Sequence, residues 1–330
     1  MDPTSTKTGK TLIVIVNTRQ ADMCIDALRS LDGEMKALPG LHVTVADNAS
    51  ADGSEEKLKA AMAELGWGDR GQVVQVGRNG GFAVGNNAGM RPALSWPEVP
   101  DYFFLLNPDT LVQPGAMKAI IDFMDANPSV GLAGSKMVYP DGTTQLSSFR
   151  FHSVLGELER GLRLGVVSKL LKNHTVVIDL PADRPTEVDW VGGASFMIRR
   201  EVIQKIGLLD ENYFVYYEET EYCLRARRAG YSSWYVPASV ITHLEGQTTG
   251  VSDKTKKAKR RARYWFDSRR RYFITNHGWA TAVVANITYA SALAMYRVRE
   301  IIQRKPKQDP PHFLWDFVKY NFLFPRRVGR

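Results

Sequence analysis

Two cysteines in 330 residues are too few for a disulfide framework. Cys24 and Cys223 lie far apart in the chain and lack the spacing of a cysteine metal cluster, so they fit a reducing compartment. Residues 1–10 are polar and contain no apolar core of the kind that signal peptides carry. These absences argue against a secreted protein stapled by disulfides, and we expect a cytoplasmic one.

Long apolar runs are also scarce. One uncharged stretch, residues 279–296, has 18 residues, which borders on the length of a membrane-spanning helix. It is rich in Ala, Thr and Ser and contains Asn286, so its hydrophobicity is weak. We therefore expect a helix that packs on the core, lies in a membrane interface or mediates oligomerisation, rather than one that crosses a bilayer.

Basic charge is concentrated near the C-terminus. The formal net charge is +8, and ten lysines and arginines lie between Lys254 and Arg271. Such a run predicts an anionic partner, which could be nucleic acid, phospholipid or a diphosphate, although a solvated helix face has the same pattern. Aromatic and basic residues alternate over 313–330, which is typical of a headgroup interface or of an arm packed on the core or on a second copy.

Strand and helix patterns alternate over the first half of the chain. Apolar, β-branched runs predict strands, and apolar residues at helical spacing predict helices between them. Repeated βα units give a parallel sheet with helices on both faces, so we predict an α/β fold. The predicted strands are 11–17, 41–46, 72–76, 102–106 and 130–134, and the predicted helices are 21–31, 54–65, 82–94 and 115–127.

The pattern changes after residue 137. Asp141-Gly142 marks a tight turn, and residues 151–189 have no clear periodicity. Further on, strand-like and helical patterns return. The strands are predicted at 190–198 and 234–241, and the helices at 201–206 and 219–229.

Polar loops follow the first three predicted strands, where open α/β folds bind ligands. Asn17 and Arg19 follow the first strand, and Asp47 follows the second. Arg78 and Asn79 follow the third and precede glycines that would let the backbone approach a phosphate at a helix N-terminus. The glycine spacing differs from the dinucleotide-binding fingerprint, so that class of cofactor is not predicted.

The fourth strand ends in Asn107-Pro108-Asp109. Proline cannot continue a central strand, so Asp109 is expected at the carboxyl edge of the sheet. A carboxylate there suits a hard cation such as Mg²⁺, which is usually shared with substrate phosphates. A strand that ends in a turn, with Asp109 as a helix cap, is the alternative.

Acidic residues cluster again at the start of the helix predicted at 219–229. Glu218, Glu219 and Glu221 could complement the helix dipole, or one of them could serve as a general base for an acceptor hydroxyl. His243 follows a strand and could complete a metal shell as a neutral imidazole, although a lone histidine is often structural.

These motifs, in this order, resemble family 2 glycosyltransferases of the GT-A fold, close in style to bacterial rhamnosyltransferases. The resemblance runs over about 11–250 and is carried by short motifs at the strand edges. They are Val14-Ile15-Val16-Asn17, Asp47-Asn48-Ala49-Ser50, Arg78-Asn79-Gly80-Gly81-Phe82-Ala83, Asn107-Pro108-Asp109, Gly192-Gly193-Ala194, Leu209-Asp210-Glu211, Glu218-Glu219 and His243. It implies a GT-A domain over 1–250, with a nucleotide-sugar half at about 1–137 and an acceptor half at about 138–250. A basic, aromatic helical region at 251–330 would follow and attach to membranes or oligomerise.

The resemblance also implies roles for single residues. Asp47 would bind the base or ribose of a nucleotide, together with Asn17, Arg19, Arg78, Asn79 and Asn107. Asp109 and His243 would hold Mg²⁺ or Mn²⁺. Glu219 would be the catalytic base in a motif that usually carries Asp, so its carboxylate reaches about one methylene further. Trp190, Glu218 and Glu221 would face the acceptor, with Trp190 stacking on a sugar ring or lying in the core.

By the same resemblance, the donor would be dTDP-L-rhamnose, with a UDP-hexose as the alternative. The acceptor would be a glycan or a lipid-diphosphate-linked glycan. The protein would lie on the inner face of the bacterial cell membrane, held by anionic lipid, as a peripheral protein and a possible homo-oligomer. A non-catalytic binding module and a nucleic-acid binder are the alternatives from other classes, and no nucleic-acid recognition motif accompanies the basic run.

Overall fold

The computed structural model describes residues 10–244, 259–307 and 309–328. The domain boundary that we predict at residue 250 lies outside the described residues, as do Lys254, Lys256 and Lys257 of the basic run. The run is described from Lys259 onward.

Strands and helices alternate through the first half and mix in the second. The strands are β1 Thr11–Asn17, β2 Leu41–Asp47, β3 Gly71–Gln75, β4 Tyr102–Leu106, β5 Thr110–Val112, β6 Val130–Val138, β7 Ser148–Phe149, β8 Thr186–Val188, β9 Trp190–Val191, β10 Ser195–Arg199 and β11 Ser232–His243. The helices are α1 Ala21–Ala37, α2 Ser54–Leu65, α3 Gly81–Met90, α4 Ala116–Ala126, α5 Val154–Leu162, α6 Gly165–Leu170, α7 Arg200–Ile206, α8 Glu218–Arg228, α9 Arg263–Ile302 and α10 Phe313–Val318.

In the described part of the chain, nine strands form one mixed sheet. Their order is β3-β2-β1-β4-β10-β6-β11-β5, with β8 paired to β11. Strands β3, β2, β1 and β4 run parallel, and so do β6 and β11. Strand β10 runs antiparallel between β4 and β6, and β5 and β8 run antiparallel to β11. The predicted α/β architecture is confirmed, and among the described strands this sheet is mixed, with four parallel and four antiparallel pairings.

Helices cover both faces of this sheet, which explains why its central strands are apolar without interruption. Ile13 and Ile15 of β1 pack into a core with α1, α2 and α4. Leu12 and Val14 of the same strand pack into a second core with α3, α7 and α8. The alternation of side chains along β1 therefore supplies one residue to each core in turn.

The C-terminal helices pack on the second half of the domain. Helix α9 contacts α5 and α8, and α10 contacts α9. Gly278 interrupts α9 with a φ of 83°, a left-handed value that glycine adopts without a steric penalty. The predicted helix at 279–296 is packed on one side, through Ala282, Ala285 and Tyr289. Among the helices built from described residues, none combines the length and hydropathy of a membrane-crossing segment.

One predicted strand is wrong in its extent. Residues 190–198 do not form one strand but two, because Gly192 and Gly193 separate β9 from β10. Strand β9 pairs with β7 in a small sheet of its own, whereas β10 enters the main sheet. The segment 151–189, which the sequence leaves undefined, contains α5, α6 and β8.

Candidate active site

A cavity of about 520 Å³ opens at the carboxyl ends of β1 and β4. We call it the large cavity. It is lined by six of the residues that the sequence singles out, namely Asn79, Asn107, Asp109, Glu218, Glu219 and His243. The large cavity thus brings together residues more than 160 positions apart, from Asn79 to His243.

Asp109 and His243 lie next to each other in the wall of the large cavity. Strand β5 pairs antiparallel with the end of β11, which sets His243 opposite Thr110 and beside Asp109. His243 Nε2 lies 3.4 Å from Asp109 Oδ1, and the Asp109 side chain is buried. A backbone bond from Leu244 N–H to the carbonyl of Asp109 ties the two segments together.

Gln145 fixes the ring of His243. His243 Nδ1 lies 3.0 Å from Gln145 Oε1, and Gln145 Nε2 donates to the His243 carbonyl at 2.7 Å. Because an amide oxygen can only accept, Nδ1 carries the proton, and in the neutral ring Nε2 keeps its lone pair toward Asp109. A carboxylate and an imidazole lone pair that face each other across 3.4 Å fit a divalent cation that also uses phosphate and water oxygens.

The pair does not belong to a larger protein cage. Within residues 10–244, 259–307 and 309–328, no group of three or more His, Cys, Asp or Glu side chains could enclose a metal ion. An ion held by Asp109 and His243 would keep open positions for substrate oxygens, as Mg²⁺ does in phosphate-handling sites.

Glu218 and Glu219 begin α8 and also line the large cavity. Burial raises the pKa of Glu219 to about 7, against the opposing effect of backbone hydrogen bonds at Gly193 and Thr220. Burial also raises the pKa of Glu218, and the neighbouring Glu219 raises it further. Both carboxyls therefore hold their protons to a higher pH than a glutamate in water does, and they do so because they are buried side by side.

The turn before α8 holds these carboxyls in place under backbone strain. Tyr216 and Tyr217 both have left-handed backbones, with φ of 73° and 70°. Such conformations are sparsely populated by residues with side chains, and they gather at functional sites. Glu219 Oε2 is buried and has no hydrogen-bond partner among the described residues. It is a free acceptor in the cavity wall.

Gly81 joins this turn to the loop after β3. Its φ is +81°, and a Cβ at this position would lie 1.8 Å from the carbonyl oxygen of Phe214. The next residue, Phe82, donates its N–H to that same oxygen at 2.8 Å. We predicted that a glycine here lets a phosphate approach the backbone closely. At Gly81 it is the Phe214 carbonyl of the same protein that approaches, and the absence of a side chain lets the two loops pack together.

Four predicted donor-binding residues lie outside the wall of the large cavity. Asn17 and Asp47 are buried, and Arg19 and Arg78 are exposed. Asp47 Oδ1 accepts from Asn17 Nδ2 and Ser50 Oγ, and Oδ2 accepts from Ser50 N–H and Gln75 Nε2. Although burial alone would raise the pKa of Asp47, these hydrogen bonds outweigh it and lower the pKa. The roles of these four residues in donor binding stay predictions.

A second cavity of about 250 Å³, the small cavity, lies on the other side of Glu219. Glu219 and Tyr216 line both cavities. Trp190 lines the small one and stacks on Phe149, with ring centroids 4.3 Å apart. The flat aromatic wall beside a carboxyl suits a sugar ring, which stacks on indole through its C–H face.

Glu221 does not face either cavity. Its Oε1 accepts from Arg225 Nε at 2.6 Å, one turn further along α8. The predicted contact of Glu221 with an acceptor stays a prediction, and the geometry favours Glu218 and Trp190 over it.

Several residues in or behind the cavity walls escape the sequence patterns. Gln145, which orients His243, follows an exposed turn, and His152 and Arg160 lie in the segment without periodicity. Phe214, Tyr264 and Arg261 line the large cavity from loops and from the start of α9. The basic run offers a signal for Arg261, but nothing in the sequence indicates that it reaches this cavity.

Comparison with known proteins agrees with this geometry. Residues 9–265 match the family described as glycosyltransferase-like family 2. An N-acetylglucosaminyl-diphospho-decaprenol L-rhamnosyltransferase of Mycobacterium tuberculosis is 28% identical over 225 residues, which cover 63% of this chain and 68% of that protein. The rhamnosyltransferase WbbL of Escherichia coli is 27% identical over 150 residues, 44% of this chain and 53% of its own.

Solved structures show the same fold at low identity. A mannosyltransferase from Pyrobaculum calidifontis, in complex with GDP-Man and Mn²⁺, superposes with a TM-score of 0.57 at 13% identity, over 92% of this chain and 77% of that one. GalNAc-T7 with UDP, GalNAc and Mn²⁺ superposes with a TM-score of 0.54 at 15% identity, over 89% of this chain and 55% of that one. The chain belongs to glycosyltransferase-like family 2, and it is a glycosyltransferase of the GT-A fold, similar to rhamnosyltransferases.

Proposed function

We propose that this enzyme transfers a sugar from a nucleotide-diphosphate donor to an acceptor hydroxyl, with inversion at the anomeric carbon. One observation carries the proposal. Glu219, whose pKa is raised to about 7, stands in the wall between two cavities, and the larger one also holds the Asp109–His243 pair. A donor in the large cavity and an acceptor in the small one would meet at this carboxyl.

The favoured donor is dTDP-L-rhamnose. The relative from M. tuberculosis is named as an L-rhamnosyltransferase, and a dTDP-rhamnosyl transferase of Shigella flexneri is 24% identical over 219 residues. A UDP-hexose is the second candidate, because a hexosyltransferase of Haloferax volcanii is 28% identical over 165 residues. These names support the class of donor by likeness alone.

The acceptor that we propose is a glycan carried on a lipid diphosphate. The name of the mycobacterial relative describes such an acceptor, an N-acetylglucosaminyl-diphospho-decaprenol. In this chain, Trp190 and Phe149 would stack on the acceptor sugar, and Glu218, in the wall of the large cavity, would lie where the acceptor hydroxyl meets the donor.

In the proposed reaction, Glu219 accepts the proton of the acceptor hydroxyl as its oxygen attacks. The bond from that oxygen to the anomeric carbon forms as the bond from the anomeric carbon to the diphosphate oxygen breaks. Attack from the opposite face inverts the configuration. Mg²⁺ or Mn²⁺, held by Asp109 and His243, would offset the charge that develops on the departing nucleotide diphosphate. Phe82, Phe214 and Tyr264 line the large cavity, and in the proposed reaction their rings would restrict water beside the reacting atoms.

The test combines binding with transfer. Thermal shifts with dTDP, UDP and their sugars, with and without Mn²⁺, report which nucleotide the folded protein selects. Transfer to a lipid-diphosphate-linked N-acetylglucosamine is then measured for the wild type, Glu219→Gln and Asp109→Ala. Glu201→Gln, an exposed change on α7, is the matched control.

We expect Glu219→Gln to keep donor binding and to lose transfer, and Asp109→Ala to weaken nucleotide binding in the presence of Mn²⁺. Normal transfer by Glu219→Gln would remove this residue as the base. Unchanged nucleotide affinity in Asp109→Ala would reject the metal role of Asp109. Selective binding and transfer of a UDP-hexose would replace L-rhamnose as the donor.

A further inference from the structure

The second half of α9 exposes an apolar stripe. Six of its side chains are between 51% and 74% exposed, which is unusual for large apolar residues. They recur at helical spacing, so most of them lie on one side of the helix. We call this stripe the α9 outer face, and it consists of Trp279, Val284, Ile287, Met295, Val298 and Ile302.

The outer face has no partner in the described chain. The opposite side of the helix, with Ala285, Tyr289 and Leu293, is buried against α5 and α10. Single exposed apolar side chains are common on proteins, but a stripe that follows a helix for about 35 Å is not. Packing within the molecule therefore explains only one side of this helix.

The C-terminal segments that carry the outer face are predominantly basic. No Asp, Glu, Lys or Arg occurs in residues 272–296, and exposed Arg304, Lys305 and Lys307 follow the stripe directly. Across 259–307 and 309–328 there are 15 lysines and arginines but only four acids. Each of these acids already pairs with an arginine of the same chain: Asp267, Glu300, Asp309 and Asp316.

This charge pattern indicates which kind of partner binds to the α9 outer face. In a dimer formed through this face, the basic residues around one copy would lie against the same basic residues of the other. The acids of the second copy are already paired within their own chain, so repulsion between like charges would oppose self-association. An anionic phospholipid surface offers headgroups to the basic residues and acyl chains to the stripe. Exposed Trp279 and Trp315 have the amphipathic rings that favour the headgroup level. The described helices are unable to cross a bilayer, so contact would lie along its surface.

We propose that the α9 outer face is a docking surface for an anionic phospholipid bilayer, with α9 lying in the headgroup region and Arg304, Lys305 and Lys307 against lipid phosphates. The proposal identifies the surface that would hold the enzyme beside a lipid-linked acceptor. It draws on the proposed function only for that purpose, and its test measures binding to vesicles without donor or acceptor.

The experiment is co-sedimentation of the full chain with vesicles of phosphatidylcholine alone, and of phosphatidylcholine mixed with phosphatidylglycerol, at low and high salt. We expect binding to the mixed vesicles, weakened by salt, and at least about tenfold weaker binding to phosphatidylcholine. The triple variant Ile287→Ser, Met295→Ser, Ile302→Ser should bind the mixed vesicles at least about tenfold more weakly.

Two controls separate docking from general effects. Leucine at the same three positions keeps the stripe apolar and should keep binding. Lys36→Gln, Lys57→Gln, Lys59→Gln removes three exposed charges from α1 and α2 and should bind normally, whereas Arg304→Gln, Lys305→Gln, Lys307→Gln should lose most of the preference for phosphatidylglycerol. Thermal unfolding of each variant checks that the fold is kept.

The proposal is overturned if the wild type fails to bind mixed vesicles or if the serine variant binds them like the wild type. It is also overturned if sedimentation velocity shows a dimer that the serine substitutions dissociate, since the outer face would then be a subunit contact. Loss of sugar transfer with vesicle binding intact would count against the proposed function and leave the docking surface standing.

Discussion

The chemistry of Glu219 is set by the position of its carboxyl and by its neighbours. A glutamate in water ionises near pH 4.5, but burial in the wall between the two cavities raises the pKa of Glu219 to about 7. A base whose pKa lies near the working pH combines a useful ionised fraction with strong proton affinity. The same shift makes the folded state less stable as pH rises from 4.5 through 7, because the unfolded chain ionises first.

We therefore predict the pH dependence of transfer. In the wild type, kcat/KM should fall about tenfold per pH unit below about pH 7, because only the ionised form of Glu219 accepts a proton. Glu219→Gln should lose this acidic limb and transfer about 10²–10⁴-fold more slowly. Steady-state kinetics over pH checks both, with Glu201→Gln as the control that keeps the limb. If the kcat/KM of the wild type began to fall only below about pH 4.5, the ordinary pKa of a glutamate, the base would not be a buried carboxyl with a raised pKa.

A second prediction concerns Gln145, which touches no cavity wall but holds the His243 ring. Outer-shell partners of this kind typically change metal affinity by 10–100-fold. Gln145→Leu should raise the Mn²⁺ concentration for half-activation by about that factor, with a smaller change in kcat at saturating Mn²⁺. Gln204→Leu, exposed on α7, is the control. The same Mn²⁺ dependence in Gln145→Leu and wild type would show that the ring needs no such support.

At the scale of secondary-structure elements, the site depends on how the loops meet. Gly81 opens α3 and lies against the turn at Phe214, which leads through Tyr216 and Tyr217 into α8. One wall of the large cavity comes from each segment. The contact between them has no room for a methyl group, so the loop after β3 and the turn before α8 are positioned as one unit.

Two glycines with nearly equal φ give a matched test of this contact. Gly53 has φ +80° and open space around its Cβ position, whereas Gly81 has φ +81° and the Phe214 carbonyl there. Gly53→Ala should cost about 1–2 kcal/mol for the left-handed backbone. Gly81→Ala should cost about 1–3 kcal/mol more for the overlap, and displacement of the site should lower kcat/KM by about 10²-fold.

Chemical denaturation and steady-state kinetics measure the two effects separately. The idea fails if the two alanine variants are equally stable and equally active. A Gly81→Ala variant that is less stable but fully active would show that the contact supports the fold without shaping the cavity.

At the scale of the whole molecule, the C-terminal helices belong to the same packed body as the cavities. Arg269 of α9 is fully buried, and its Nη2 donates to Glu157 of α5 at 2.6 Å. Its guanidinium also lies 4.7 Å from the ring centre of Phe273 and 4.9 Å from that of Phe317. Glu157 is close to His152 and Arg160 of the small cavity, so α9 supports that cavity from behind.

Removal of one partner of this ion pair should weaken the whole molecule. Arg269→Met should lower the free energy of unfolding by about 3–5 kcal/mol, because Glu157 would stay buried with less compensation. Arg304→Met, exposed just beyond α9, should change it by less than about 0.5 kcal/mol. Denaturant unfolding of the two variants measures the difference, and equal stability would show that the pair is dispensable.

The effect of Arg269→Met should also depend on pH. Burial alone would raise the pKa of Glu157, but the charges of Arg160 and Arg269 outweigh it and hold the pKa far below its ordinary value of 4.5. A carboxylate with a depressed pKa stabilises the fold above pH 4.5 and loses this contribution as pH falls through its folded value. The gap between wild type and Arg269→Met should therefore be full at neutral pH and shrink in acid.

Local patterns in the sequence were enough to predict an α/β sheet and the edge of it where the large cavity opens. Apolar runs such as 11–17 and 102–106 define central strands by themselves, since a strand covered on both faces must be apolar throughout. Asn107, Asp109 and Glu219 could be named for the same local reason, because each follows a strand or starts a helix. The motifs also identified the family.

Only the tertiary structure decided which of these groups meet. His243 reaches Asp109 because β11 and β5 pair at one end of a sheet whose order does not follow the chain. Asp47 and Glu221 also follow a strand or start a helix, yet both oxygens of Asp47 and Oε1 of Glu221 accept hydrogen bonds from elsewhere in the protein. The raised pKa of Glu219 and the uncovered side of α9 were also decided by the tertiary structure. Both result from contacts between residues far apart in the chain, which local patterns in the sequence do not reveal.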